Sequence, residues 1–247
     1  GAVLDEKVSP FQWLNFRRAA SWAMDYEAFL SAALNGFGVQ GKGCIPIGMT
    51  GHNDSAYNWE YNMTAAVEEW NLAMAEPGFA DSLNELDNTL TLYYNSGNTV
   101  REQGCLLLAD GLTEMFNHAD ADDTGLDAEM TVNTQALEWS NYLDHIREKR
   151  MPIFFVGWAP DYADPDNYVF PFAYHVGTYA QRISYNNSEI NDLYLLAKTE
   201  TDPTTRNGYY SEIQEILAED APYLWMYQPT EFRTWRAWLH GDGLVYN

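Results

Sequence analysis

Apolar residues near the start of the chain recur with the period of a helix. Phe11, Leu14, Ala19, Trp22 and Ala23 share that face, behind a Ser9-Pro10 pair suited to a cap and first turn. Asp25 is placed to cap a second helix, Tyr26–Leu34, which Asn35-Gly36 would end. The Gly-rich "GFGVQGKGCIPIGMTGHND" then reads as an irregular crossing segment, and "TAAVEEWNLAMA" as a helix stopped near Pro77-Gly78. "TLTLYYN" (Thr89–Asn95) alternates as a strand does. A turn and a long helix follow, with Val100, Leu107, Leu108 and Leu112 on its buried side. "EMTVNTQAL", "WSNYLDHIREKR" and "MPIFFVGW" continue as strand, helix and strand. Such alternation predicts βαβ crossovers and a largely parallel sheet. "SEINDLYLLAKTE" and "DPTTRNGYYSEIQEILAED" predict two more helices, the second opened by Asp202-Pro203. "APYLWMYQPTEFRTWRAWLHG" predicts two aromatic strands around a Gln228-Pro229 turn. The whole, 1–247, reads as a single α/β domain.

Composition supplies a core but no membrane span. Hydrophobic residues make up 46% of 247, yet no apolar run approaches the roughly 20 residues a spanning helix needs. Thirteen basic residues against 36 acidic ones leave a net charge of −23. Nucleic acid is thereby excluded as a partner, because phosphate neutralisation needs clustered Lys and Arg. Cys44 lies in the Gly-rich segment and Cys105 in a helix; one disulfide could join them, but their spacing favours two free thiols. The histidines (His52, His118, His145, His175, His240) are scattered, and no Gly-x-Ser-x-Gly elbow occurs, so no nucleophile–base pair is legible.

Three stretches carry candidate chemistry. "DADDTGLDAE" partly imitates a calcium loop, with Asp120, Asp122, Thr124 and Gly125 at positions 1, 3, 5 and 6. Position 12 is Thr131 instead of Glu, and the flanks read helix-to-strand. A solvated acidic connection is the reading this favours. "YNSGNTVREQ" ends a strand and starts a helix, where exposed N–H groups and Arg101 suit an anionic group. A plain turn capped by Ser96 or Asn98 accounts for it equally well. "GWAPDYADPDNY" follows a strand and offers Asp161, Asp164 and Asp166. Two of them could serve as an acid/base pair across a glycoside, but Asp-Pro and Asp-Asn steps are also ordinary turn chemistry.

Taken in order, five segments resemble one family, the extracellular solute-binding proteins of family 5, which include the oligopeptide- and dipeptide-binding proteins of ABC importers. They are "FRRAASWAMDYEAFL", "GKGCIPIGMTG", "LTLYYNSGNTVREQGCLLLADGL", "GWAPDYADPDNYVFPF" and the long stretch from "SYNNSEINDLYLL" to "APYLWMYQP". The resemblance implies a lobe of the type II periplasmic-binding-protein kind, with a central mixed, mostly parallel sheet flanked by helices. Members are longer and two-lobed, and this chain resembles their C-terminal lobe alone.

The resemblance also implies a role for particular residues. The aspartate of the "GWxxDY" loop, here Asp161, would hold a peptide α-ammonium group, with Trp158 as an adjacent aromatic wall and Tyr162 beside it. Asn95, Asn98 and Arg101 would face the far end of the ligand. Pro160 departs from the small residue many relatives carry before the aspartate. The implied function is binding without catalysis and without cofactor or metal. The implied partners are a peptide or other small solute, an N-terminal lobe and an ABC permease, outside the cytoplasmic membrane and anchored to it. Because the family also includes binders of oligosaccharides, Trp158, Tyr162, Tyr168, Phe170 and Tyr174 are alternatively sugar-stacking residues. A glycoside-processing enzyme using the loop carboxylates is the reading from another class.

Overall fold

A computed structural model describes residues 9–230 together with Arg236 and Trp238. Its first elements are set by their caps. Ser9-Pro10 opens a single 3-10 turn, Pro10–Gln12, and the helix proper, α1 (Leu14–Ala23), starts after Trp13. Asp25 begins α2 (Tyr26–Leu34) as expected: its carboxylate accepts the Ala28 N–H at 2.8 Å, satisfying one orphan donor of the first turn. The Gly-rich connection is irregular except for β1 (Gly38–Val39). Asn62 caps α3 (Met63–Met74). A short α4 (Phe79–Asn84), not foreseen from the sequence, restarts after Gly78, whose φ of 82° suits glycine.

The strand β2 (Thr89–Asn95) has the expected bounds, and its alternate residues Leu90, Leu92 and Tyr94 are buried. Next, α5 (Thr99–Phe116) is capped by Asn98 rather than Ser96, the Asn98 side chain accepting the Arg101 N–H at 3.0 Å. Then β3 (Thr131–Leu137), α6 (Trp139–Arg147) and β4 (Ile153–Phe154) complete two crossovers. All three strands run parallel in the order β3-β2-β4, with Thr89 opposite Thr131 and Leu92 opposite Ile153. The α/β expectation therefore holds. The strand β3 starts two residues into its expected run, Glu129–Leu137, and β4 covers only two residues of its own, Met151–Trp158. The Phe155 N–H still reaches the Tyr93 carbonyl at 2.9 Å, and beyond it the chain leaves β2.

Two further helices escaped the sequence reading, α7 (Asp166–Ala173) and α8 (Thr178–Arg182). Asp164 to Asn167 read as turn-makers, but the same chemistry starts a helix. Pro165 already has helical angles, φ −52° and ψ −32°, and the Asp164 carboxylate accepts the Asp166 N–H at 2.9 Å. The last helices, α9 (Ser188–Thr199) and α10 (Pro203–Asp220), match expectation, with Asp202 capping α10. The chain end does not. Gln228-Pro229 is no turn between aromatic strands but itself a strand, β5 (Gln228–Pro229), antiparallel to β1. Apart from Arg236 and Trp238, the expected second aromatic strand lies outside the described residues. The β1–β5 ribbon is separate from the parallel sheet, so the two do not merge into one mixed sheet.

Two principal cores result. The larger packs α1, α2, α3 and α5 against β2, around the rings of Phe16, Trp70 and Phe79, whose centroids lie 5.2–5.9 Å apart. On α5, Gly111 sits against the Ala23 carbonyl where a Cβ would collide, which lets α5 pack closely on the end of α1. The Trp70 indole N–H donates to the Asp122 carbonyl at 2.8 Å. Asn71 and Asn84 bind four further main-chain groups between Asp120 and Asp127. Neutral side chains thus anchor the acidic connection while its carboxylates face outward. The second core joins α7, α8, α9 and α10 to Cys44 and Ile45. Cys44 and Cys105 are both free and buried, as read, and burial pushes each thiol up to about 12.

Candidate functional site

The loop after β4 is fastened to the first turn of α7, chiefly at Asn167. Trp158 donates its indole N–H to the Asn167 carbonyl at 2.8 Å, and its ring meets Phe172 and Tyr179 edge-on at 6.1 and 5.9 Å. The Asp161 main-chain N–H donates to Asn167 Oδ1 at 3.1 Å. Tyr162, 52% exposed, donates its hydroxyl to Asp166 Oδ2 at 3.0 Å.

These contacts sort the three loop carboxylates. Asp164 takes two hydrogen bonds from Arg206 at 2.8 and 2.9 Å, which hold its carboxyl below the usual range. A general acid needs the opposite shift, so Asp164 is poorly suited to half of a glycosidic pair. Asp166 is engaged by Tyr162. The Asp161 carboxylate is exposed and has no hydrogen bond or ion pair among the described residues. Of the proposed sugar-stacking rings, Phe170 and Tyr174 pack on Tyr194 at 5.9 and 4.5 Å as part of the second core.

The turn from β2 to α5 comes alongside. Arg101 donates from Nη1 to Asn95 Oδ1 at 2.7 Å, and its guanidinium lies 5.9 Å from the Trp139 ring centroid. A Cβ on Gly157 would come within 3.2 Å of Arg101 Nη2, so glycine at 157 leaves room for the guanidinium beside the loop. Arg101 meets no carboxylate among the described residues. In a chain of net charge −23, that leaves an uncompensated cation at the C-terminal edge of the parallel sheet, where α/β folds bind ligands. The side chain of Asn98 is committed to its cap. Sequence reasoning missed Trp139, which is 46% exposed. Its signal was its position, first in a helix directly after a strand.

Below the loop lies a cleft of about 790 Å³ bordered by both cores. One wall is the stretch from β4 to Trp158, the other residues 220–229, and Cys105 and Leu108 line it from α5. Neither Val156–Pro160 nor Pro222–Met226 makes a main-chain hydrogen bond to any described residue. Half-buried extended backbone ordinarily finds such partners. At the rim, Arg17 donates to the carbonyls of Phe11 and Gln12 at 2.9 and 3.0 Å, and to that of Asp220 at 2.8 Å.

Residues 2–180 match the family model described as bacterial extracellular solute-binding proteins, family 5 Middle. A probable D,D-dipeptide-binding periplasmic protein of Escherichia coli (strain K12) is 28% identical over 91% of this chain and 40% of its own length. Heme-binding protein A of Haemophilus influenzae (strain Rd) is 24% identical over 87% of this chain and 36% of its own. The chain thus spans well under half the length of these curated relatives. The solved oligopeptide-binding protein of Bacillus subtilis, in complex with a nonapeptide, shares the fold at a TM-score of 0.70, with 23% identity over 89% of this chain and 42% of that one. The fold is that of the type II periplasmic binding proteins.

Proposed function

The chain belongs to the bacterial extracellular solute-binding proteins of family 5, and we propose that it is the C-terminal lobe of a two-lobed, non-catalytic binding component that delivers a peptide-like solute to an ABC importer. Asp161 takes the α-ammonium group of the ligand, Trp158 walls the pocket beside it, and Tyr162 borders it. Arg101, held by Asn95 and backed by Trp139, faces the ligand's anionic end, with Asn98 fixing the turn from behind. The observation that carries this reading is the Asp161 carboxylate. Of the three in the loop it is the one without a partner, on a backbone that Asn167 holds in place. A carboxylate so placed, shielded when a second lobe closes, binds an ammonium by charge-assisted hydrogen bonds.

The open cleft supports the lobe reading. Both Val156–Trp158 and Pro222–Met226 line it, and neither makes a main-chain hydrogen bond to a described residue, which suits an edge awaiting a further strand. The other lobe and the permease are the protein partners, and the site of action is outside the cytoplasmic membrane, to which the complete protein is anchored. Calorimetry on the full-length protein tests the site. Asp161→Asn is expected to weaken free-N-terminus peptides far more than their N-acetylated counterparts. Equal losses for both remove Asp161 from the ammonium role.

A further inference from the structure

We propose that Asn167 is the positioning residue of the ligand loop, the single side chain that sets where the Asp161 carboxylate points. The proposal rests on Asp161 being the ammonium partner. Asn167 lies in the first turn of α7 and is buried, 8% exposed. Its Oδ1 accepts the Asp161 N–H at 3.1 Å and its carbonyl accepts the Trp158 indole at 2.8 Å. Beside it, the Tyr162 hydroxyl donates to Asp166 Oδ2 at 3.0 Å, in the same first turn of α7. Two residues of the loop therefore converge on Asn167, Asp161 on its buried side-chain amide and Trp158 on its main-chain carbonyl.

The chemistry explains why an amide is suited here. Between Ala159 and Ala163 the loop makes no main-chain hydrogen bond within itself except that the Tyr162 carbonyl accepts the Asp164 N–H. Among the described residues, the one hydrogen bond that fixes the peptide plane at Asp161 is the one to Asn167. That plane carries the Cα from which the carboxylate projects. Loss of the acceptor frees the plane to rotate, and it leaves the loop without the preorganisation that makes a charged contact effective. Asn167 itself is held by helix α7 and by its N–H on the Asp164 carbonyl at 3.0 Å, so its position is tied to the Asp164–Arg206 pair.

The test uses the full-length protein and a pool of free-N-terminus tripeptides beside the same pool N-acetylated. The readout is the ratio of the two affinities, which a general loss of stability leaves alone. Asn167→Leu, similar in volume but without the acceptor, is expected to cut that ratio about fivefold, the loss of one hydrogen bond. Asn167→Asp, which keeps an acceptor oxygen, recovers most of it. Exchange of the Asp161 amide should quicken in the leucine variant and not in the aspartate one. If the leucine variant does not fold, Asn167→Ala takes its place. A ratio unchanged in Asn167→Leu while Asp161→Asn abolishes it overturns the positioning role alone. A ratio that Asp161→Asn leaves intact overturns the ammonium reading, and this one with it.

Discussion

Arg206 of α10 grips Asp164 of the loop with both terminal nitrogens, across 42 residues of chain. The guanidinium lies 5.0 Å from the centroid of the Tyr210 ring, so its plane is fixed before it meets the carboxylate. The pair clamps the start of α7 to α10, and through Asn167 it carries the ligand loop. Both side chains are partly exposed, so Asp164→Asn is expected to cost only about 1 kcal/mol of stability. The pH dependence has a definite sign. The folded-state pKa of Asp164 is depressed, chiefly by its hydrogen bonds to Arg206. Its contribution is therefore present above the ordinary carboxylate range and lost as pH falls through the lower folded value. Denaturant titrations should show a constant gap between wild type and Asp164→Asn from neutral pH down to about pH 4, closing below it. A gap that widens in acid would contradict the pairing.

The main-chain N–H groups of Tyr223, Leu224, Trp225 and Met226 have no acceptor among the described residues. They are expected to exchange with solvent at close to unprotected rates in this chain. In the full-length protein, a strand filling the cleft would slow them by at least about tenfold. Equal protection in both would mean that the cleft closes on itself.

On the proposed two-lobed reading, this chain offers one side of a binding cleft. Calorimetry on this chain with free-N-terminus peptides is expected to show negligible binding, because lobe closure is what buries the ligand. Micromolar affinity for the chain by itself would overturn the two-lobed reading.

Cys44 and Cys105 both border the cleft but are buried, and burial holds each thiol near 12. At pH 8 almost none of either is thiolate, the reactive form. A disulfide reagent should therefore label neither in the folded chain on the timescale that it labels both in denaturant. Rapid labelling of Cys105 would report an opening of α5 toward the cleft.

Elements governed by local signals were legible in the sequence. The alternation in Thr89–Asn95 and the caps Asp25 and Asp202 each depend on neighbours within one turn or strand. Asp164 to Asn167 defeated that reading because a Pro flanked by aspartates starts turns and helices by the same hydrogen bonds. The run Ile153–Val156 is apolar enough for a buried strand, but hydropathy does not say whether a neighbour is present to bond it, and beyond Phe155 none is. The proposed ligand residues Asp161 and Trp158 are singled out by their loop alone. Their support was not: Arg206 lies on a helix whose own spacing gives no hint of Asp164, and Trp139 reaches Arg101 only through the parallel pairing of β2 and β3.

Arg17 gathers carbonyls from Phe11, Gln12 and Asp220, so that one guanidinium ties the first described turn to the end of α10. The bond to Asp220 joins residues 203 positions apart. Because the entropy of closing a loop grows by only roughly 0.6 kcal/mol per doubling of its length, so distant a link is little harder to close than a short one, and a single side chain can help hold the two ends of the helical packing in register.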